Sequence, residues 1–124
     1  MGMAADVGTL QRLPRIIGDG MLRELAYTGR MVDAEEARSI GLVNRVYSDH
    51  ERLLEGVMAI ARDIAGKSPI AVGGTKQMIG YMRDHRVDDG LEYVATWNAA
   101  MLQSADLRLA MAAHMSKQKP EFQD

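Results

Sequence analysis

The carboxylate in the most chemically suggestive setting is Asp6, which stands between Gly2 and Gly8 and directly ahead of an apolar run, Leu10, Leu13, Ile16 and Ile17. That spacing is helical, so Asp6 lies at a loop-to-helix junction. A carboxylate there can do one of two things. It can cap the helix, accepting first-turn backbone N–H groups and meeting the positive end of the helix dipole. Alternatively it can be held at the floor of a pocket to move a proton, which needs reach to a substrate and a tuned acidity. Residue types and spacing leave both readings open.

Other candidate chemistry is sparse. His50, His85 and His114 are far apart, with no pair at the i, i+4 spacing that places two imidazoles on one metal, so no metal site is expected. There is no GxSxG, phosphate-loop or GxGxxG pattern, and Gly73-Gly74 has neither the preceding strand nor the lysine a phosphate loop needs. The absence of cysteine excludes disulfides, thiolate nucleophiles and Cys-ligated zinc, and it suits a cytoplasmic setting. Trp97 is either a substrate wall or, more simply, a helix-packing aromatic. The ten methionines, set at helical positions, read as core and interface filler.

The elements that must position Asp6 and its neighbours are almost all helical. The pattern predicts a helix from about Val7 to Ile17, kinked or broken at Pro14, which lacks an N–H and crowds the preceding turn. A short helix follows over Met21 to Tyr27, ended by Gly29. Asp33 and Glu36 have capping-box spacing, with Gly41 as the stop. Leu42 to Tyr47 is apolar and β-branched and reads as the single strand, one whose ladder partner must come from elsewhere. Ser48 with Glu51 opens a helix carrying Leu53, Leu54, Val57, Met58, Ala61, Ile64 and Ala65 on one stripe. Ser68-Pro69 starts another, Arg83 to Arg86 connects, and two more run over about Asp88–Gln103 and from Ser104 to about Lys117. Pro120 ends regular structure.

With 124 residues the chain holds at most one domain, and 47% hydrophobic with 26% charged residues is ordinary soluble composition. A formal charge of −2 with signs interspersed gives no basic patch, so no nucleic-acid partner is expected. Met1 to Gly8 has neither a charged nor an apolar leader segment and no window approaches a membrane span, so neither secretion nor membrane insertion is expected.

The stretch Gly2-Met3-Ala4-Ala5-Asp6-Val7-Gly8-Thr9-Leu10-Gln11-Arg12-Leu13-Pro14-Arg15-Ile16-Ile17-Gly18 resembles the active-site helix start of the enoyl-CoA hydratase/isomerase (crotonase) superfamily, and more narrowly the dienoyl-CoA isomerases. The resemblance extends through Ala34-Glu35-Glu36-Ala37, Gly41 to Val46, Arg83-Asp84-His85, Tyr93 to Asn98 and Met101-Leu102-Gln103, and more generally over Ser104 to Phe122. Hydratases of the superfamily usually carry glycine where Asp6 stands, with their catalytic glutamate about eight residues upstream; the dienoyl-CoA isomerases use both carboxylates. The resemblance therefore implies that Asp6 is catalytic. It implies isomerisation of 3,5-dienoyl-CoA to 2,4-dienoyl-CoA in fatty-acid β-oxidation.

The implied fold class is mainly α: the C-terminal helical part of the α/β crotonase (ClpP/crotonase-like) fold, with one short strand near 42–47. Residues 1–124 form a single helical segment, about 1–47 matching the end of the crotonase core and about 48–124 the trimerisation helices. The resemblance makes Lys119 and Phe122, near the C-terminal end, contacts for the CoA adenine, although a solvated terminus is an equally simple reading of both. It requires an acyl-CoA thioester substrate and no separate cofactor, CoA being part of the substrate. It implies a homo-oligomer, trimer or hexamer, or a partner supplying the N-terminal half. In the superfamily that half, which aligns ahead of Gly2, provides the oxyanion-hole N–H groups and most of the CoA pocket, so the isolated chain is expected to be inactive. Two alternatives stand beside this: a non-catalytic helical oligomerisation module, and another CoA-ester isomerase or hydratase of the same superfamily. Exposed apolar helix faces are expected in any of these cases.

Overall fold

A computed structural model describes residues 2–122. Its helices are α1 (Thr9–Arg12), α2 (Asp19–Thr28), α3 (Ala34–Ser39), α4 (His50–Ala65), α5 (Pro69–Tyr81), α6 (Val87–Met101) and α7 (Ala105–Met115), with a 3-10 turn at Leu13–Arg15. Two compact units divide the chain, Met1–Leu54 and Glu55–Asp124, the boundary falling within α4.

In the first unit, the helix expected to run continuously to Ile17 breaks where Pro14 enters the 3-10 turn. The Ile16 and Ile17 amides then both close on the Leu13 carbonyl. This folds Ile17 inward, where with Leu22 of α2 and Ala37 of α3 it makes up the buried apolar residues of the described chain. Asp33 caps α3 by accepting from the Glu36 amide at 2.8 Å. The other half of the expected capping box is replaced, because the Glu36 carboxylate turns to Arg30 at 2.5 Å.

Arg30 lies between α2 and α3 and is saturated. Its guanidinium forks onto both Glu36 oxygens, donates to Glu24 at 2.9 Å and to the Met31 carbonyl, and lies against the Met21 sulfur. Hydrogen bonding from Arg30 holds the Glu36 carboxyl below its usual range. A carboxyl whose folded-state pKa is depressed contributes stability above its unfolded pKa, roughly 4.3 for glutamate, and that stability is lost as pH falls through the folded pKa. The pair is solvated, so its strength comes from the fork rather than from burial. Thermal melting is expected to show a midpoint that falls as pH drops below about 4, with a smaller fall in Arg30→Ala. An identical pH dependence in the variant would remove Arg30 from this role.

The strand expected near 42–47 is not formed, and no strand occurs among the described residues. The reason is local. Gly41 takes φ 79, which only glycine adopts freely, and this reverses the chain so that the Leu42 and Val43 amides both bond the Ala37 carbonyl, at 2.8 and 3.2 Å. Those donors close the end of α3 instead of entering a ladder. At the start of α4 the cap is one residue later than Ser48: Asp49 accepts from the Arg52 amide at 2.8 Å while Ser48 donates to the other Asp49 oxygen.

In the second unit the expected starts are found. Ser68 caps α5 with Pro69 at its first position, and Ser104 caps α7. Ser68 also donates its hydroxyl to Asp106 at 2.5 Å, tying the start of α5 to the first turn of α7. Arg86 precedes α6, its amide donating to Asp89. Helices α5 and α6 pack closely because glycine stands at the contacts: Gly74 is buried under Trp97 and Gly90 under Met82. Tyr81 stacks on His85 and meets Tyr93 at a tilt of 59°. The apolar stripe of α4 has no buried residue; Leu54, Met58 and Ile64 are 51%, 50% and 51% exposed.

Candidate active site

Asp6 sits ahead of α1 as the sequence requires, but it does not cap it. The N-cap position belongs to Gly8, and the Asp6 side chain makes no hydrogen bond or ion pair among the described residues. What holds the segment is a four-residue turn in which the Thr9 amide bonds the Asp6 carbonyl at 3.1 Å. Both central residues have positive φ, 54 at Val7 and 82 at Gly8, the type I′ pattern. Gly8 suits that turn; Val7, β-branched, does not, and it is held there against its preference. Val7 cannot then serve as the first residue of a helix, so the expected start at Val7 moves to Thr9. The Asp6 carboxylate is left exposed, with the Arg12 side chain folded back over Gly8.

Lys119 and Phe122 belong to the second unit, beyond the end of α7. Lys119 is exposed and Phe122 half-buried, in an irregular segment that follows a turn where the Gln118 amide bonds the Ala113 carbonyl. Among the described residues, no three His, Asp or Glu side chains are grouped as a metal would need. His85 is engaged by the Tyr81 carbonyl and by Asp84, and the first of these contacts raises its affinity for a proton.

The second unit also carries a cavity of about 240 Å³, whose walls include Ile70, Trp97, Met101 and Leu107 together with Ser68 and Asp106. Its walls are mainly apolar, and the Ser68–Asp106 pair is committed to capping α5 and joining it to α7. Trp97 is thus both the helix-packing aromatic expected and a cavity wall. The residue that composition could not single out is Val7. Only the neighbouring Gly8 hinted at a left-handed turn, and nothing in valine itself signals positive φ.

A sequence profile of the enoyl-CoA hydratase/isomerase family matches residues 1–124. The chain is 49% identical over 118 residues to the mitochondrial Delta(3,5)-Delta(2,4)-dienoyl-CoA isomerase of Mus musculus, covering 94% of this chain and 36% of that protein. It is also 49% identical over 122 residues to the peroxisomal enzyme of the same name from Arabidopsis thaliana, covering 98% and 44%. Among solved structures, an enoyl-CoA hydratase from Bacillus anthracis superposes with a TM-score of 0.92 at 33% identity, over 98% of this chain and 46% of that one. The chain thus spans between a third and a half of the length of these relatives.

Proposed function

Because this chain belongs to the enoyl-CoA hydratase/isomerase family, we propose that it contributes Asp6 as one of two carboxylates that convert a 3,5-dienoyl-CoA into the 2,4-dienoyl isomer. The observation that carries this is the free Asp6 carboxylate. The most economical structural use of that side chain, capping α1, is unmet, while the turn beneath it is held in a strained conformation. The reaction removes a proton from C2, leaves the negative charge delocalised from the thioester oxygen to C6, and returns a proton at C6 as the double bonds shift. Two separated carboxylates suit the two proton transfers, and N–H donors at the thioester oxygen suit the delocalised anion. Asp6 serves one end of the diene. The family resemblance implies a second carboxylate, a glutamate about eight residues before Asp6, and oxyanion donors further upstream.

Independently of Asp6, Lys119 and Phe122 are read from the same resemblance as contacts near the CoA adenine, the ring suited to stack on the base. The substrate is the acyl-CoA thioester, with no separate cofactor. No helix among the described residues is long and apolar enough to cross a membrane. The mouse and Arabidopsis relatives are named mitochondrial and peroxisomal, so the cytoplasmic expectation finds no support in those names.

The test is turnover of 3,5-dienoyl-CoA, followed by the change in ultraviolet absorbance as the diene conjugates with the carbonyl. It is run with the chain alone and with the preceding half of a dienoyl-CoA isomerase added. Isomerisation in either mixture supports the reading. A rate equal to buffer in both, or water addition to 2-enoyl-CoA in place of isomerisation, would sink it.

The bare apolar face of α4 favours a second reading beside the first, self-association through the helices of about 48–124. Light scattering is expected to give a mass several times that of one chain. Charged substitution of Leu54 and Met58 is expected to lower it. A clean monomer at micromolar concentration would contradict association.

A further inference from the structure

We propose that Val7 is a positioning residue for Asp6, acting through its backbone: its left-handed conformation prevents Asp6 from becoming the cap of α1 and so keeps the carboxylate available. This rests on the reading of Asp6 as the proton-transfer group.

Sequence favours the competing arrangement. With Asp6 as N-cap and Val7, Gly8 and Thr9 as the first three helical residues, the Asp6 side chain would accept the Gly8 or Thr9 amide and α1 would gain two residues. That arrangement needs a negative φ near −60° at residue 7. Instead φ is 54 there, the Thr9 amide goes to the Asp6 carbonyl, and the helix begins after Gly8. The one dihedral separates a carboxylate used up by the backbone from one that is free. A valine is a costly residue to hold in that dihedral, and the cost is borne next to the carboxylate the proposed reaction uses.

The proposal predicts that backbone preference, and not side-chain size, governs this position. Val7→Asn and Val7→Gly tolerate positive φ. Val7→Pro forbids it, and proline is well suited to the first position of a helix behind an aspartate cap. In Val7→Pro, kcat on 3,5-dienoyl-CoA, measured with the preceding half added, is expected to fall on the order of 10²-fold, the size of a lost acid–base group, with KM within about two-fold. Val7→Asn is expected to keep the wild-type kcat.

The second measurement reads the turn directly, by NMR on the chain itself. In Val7→Pro the Gly8 and Thr9 amide shifts are expected to respond to protonation of the Asp6 carboxylate several-fold more than in the wild type. The response should vanish in the Val7→Pro, Asp6→Ala double variant. Amide responses equal in wild type and Val7→Pro overturn the proposal whether or not turnover is seen. So does a Val7→Pro enzyme with wild-type kcat while Asp6→Ala is inactive. An Asp6→Ala chain as active as the wild type would instead remove the parent reading, and the catalytic part of this proposal with it, leaving the NMR comparison to decide the turn alone.

Discussion

Asp6→Ala is expected to lower kcat for 3,5-dienoyl-CoA, measured with the preceding half added, by roughly 10²- to 10⁴-fold, the range for removing a positioned general acid or base, while the melting temperature of the chain stays where it was. Both halves of that expectation follow from one feature. The carboxylate is exposed and has no side-chain partner among the described residues, so its removal breaks no cap, ion pair or buried hydrogen bond. Surface substitutions of that kind usually change stability by no more than about 0.5 kcal/mol. Were Asp6 instead an ordinary N-cap, alanine would cost about 1 kcal/mol and leave chemistry untouched. The two measurements therefore separate the two uses that the sequence left open. A lowered melting temperature with unchanged turnover would restore the capping role. Asp6→Asn refines the result, since asparagine keeps the shape and hydrogen-bonding ability but cannot exchange a proton at neutral pH. It is expected to be as inactive as Asp6→Ala.

The difference between what was legible here and what was not lies in the range of the forces involved. Asp33, Ser68 and Ser104 were readable as helix caps because a cap is settled within three residues of itself. Pro14 was readable as a break because its ring and missing N–H act on its own turn. Ser48 was read as the cap of α4, but its neighbour Asp49 takes that place, accepting from the Arg52 amide while Ser48 donates to its other oxygen. The strand at Leu42 to Tyr47 was misread because β-branched composition describes fitness for a ladder without supplying its other strand. With none at hand, the donors of Leu42 and Val43 closed on Ala37. The conformation of Val7 was the least legible of all. Local preference speaks against positive φ, and a turn that overrides local preference is the kind of conflict functional segments retain. The family resemblance located Asp6, and geometry supplied the reason it is not a cap.

Gly74→Ala is expected to destabilise the second unit, although alanine is the better helix former by about 1 kcal/mol. Gly74 is buried on α5, and a Cβ there would stand 2.5 Å from Trp97 Nε1 and 2.8 Å from its Cε2. The indole is a rigid plane and has no end that can swing aside, so either α5 and α6 separate or the ring leaves its rotamer. Overpacking of that kind costs about 1–3 kcal/mol. Set against the helix gain, a net loss of about 0.5–2 kcal/mol remains, or several degrees of melting temperature in a unit of this size. Gly90 provides the control, being also buried, on α6, with a crowded site for a Cβ. Its neighbour, however, is the sulfur near the end of the flexible Met82 side chain, which can rotate away. Gly90→Ala is therefore expected to be neutral within about 0.5 kcal/mol or slightly stabilising, the helix term now winning. The double variant Gly74→Ala, Trp97→Leu settles the cause. If the clash is with the indole, adding Gly74→Ala to Trp97→Leu costs nothing further, and calorimetry shows a favourable coupling between the two sites. A Gly74→Ala chain that melts at or above the wild-type temperature would mean that α5 and α6 do not meet through this glycine, and that Trp97 is free to serve the cavity alone.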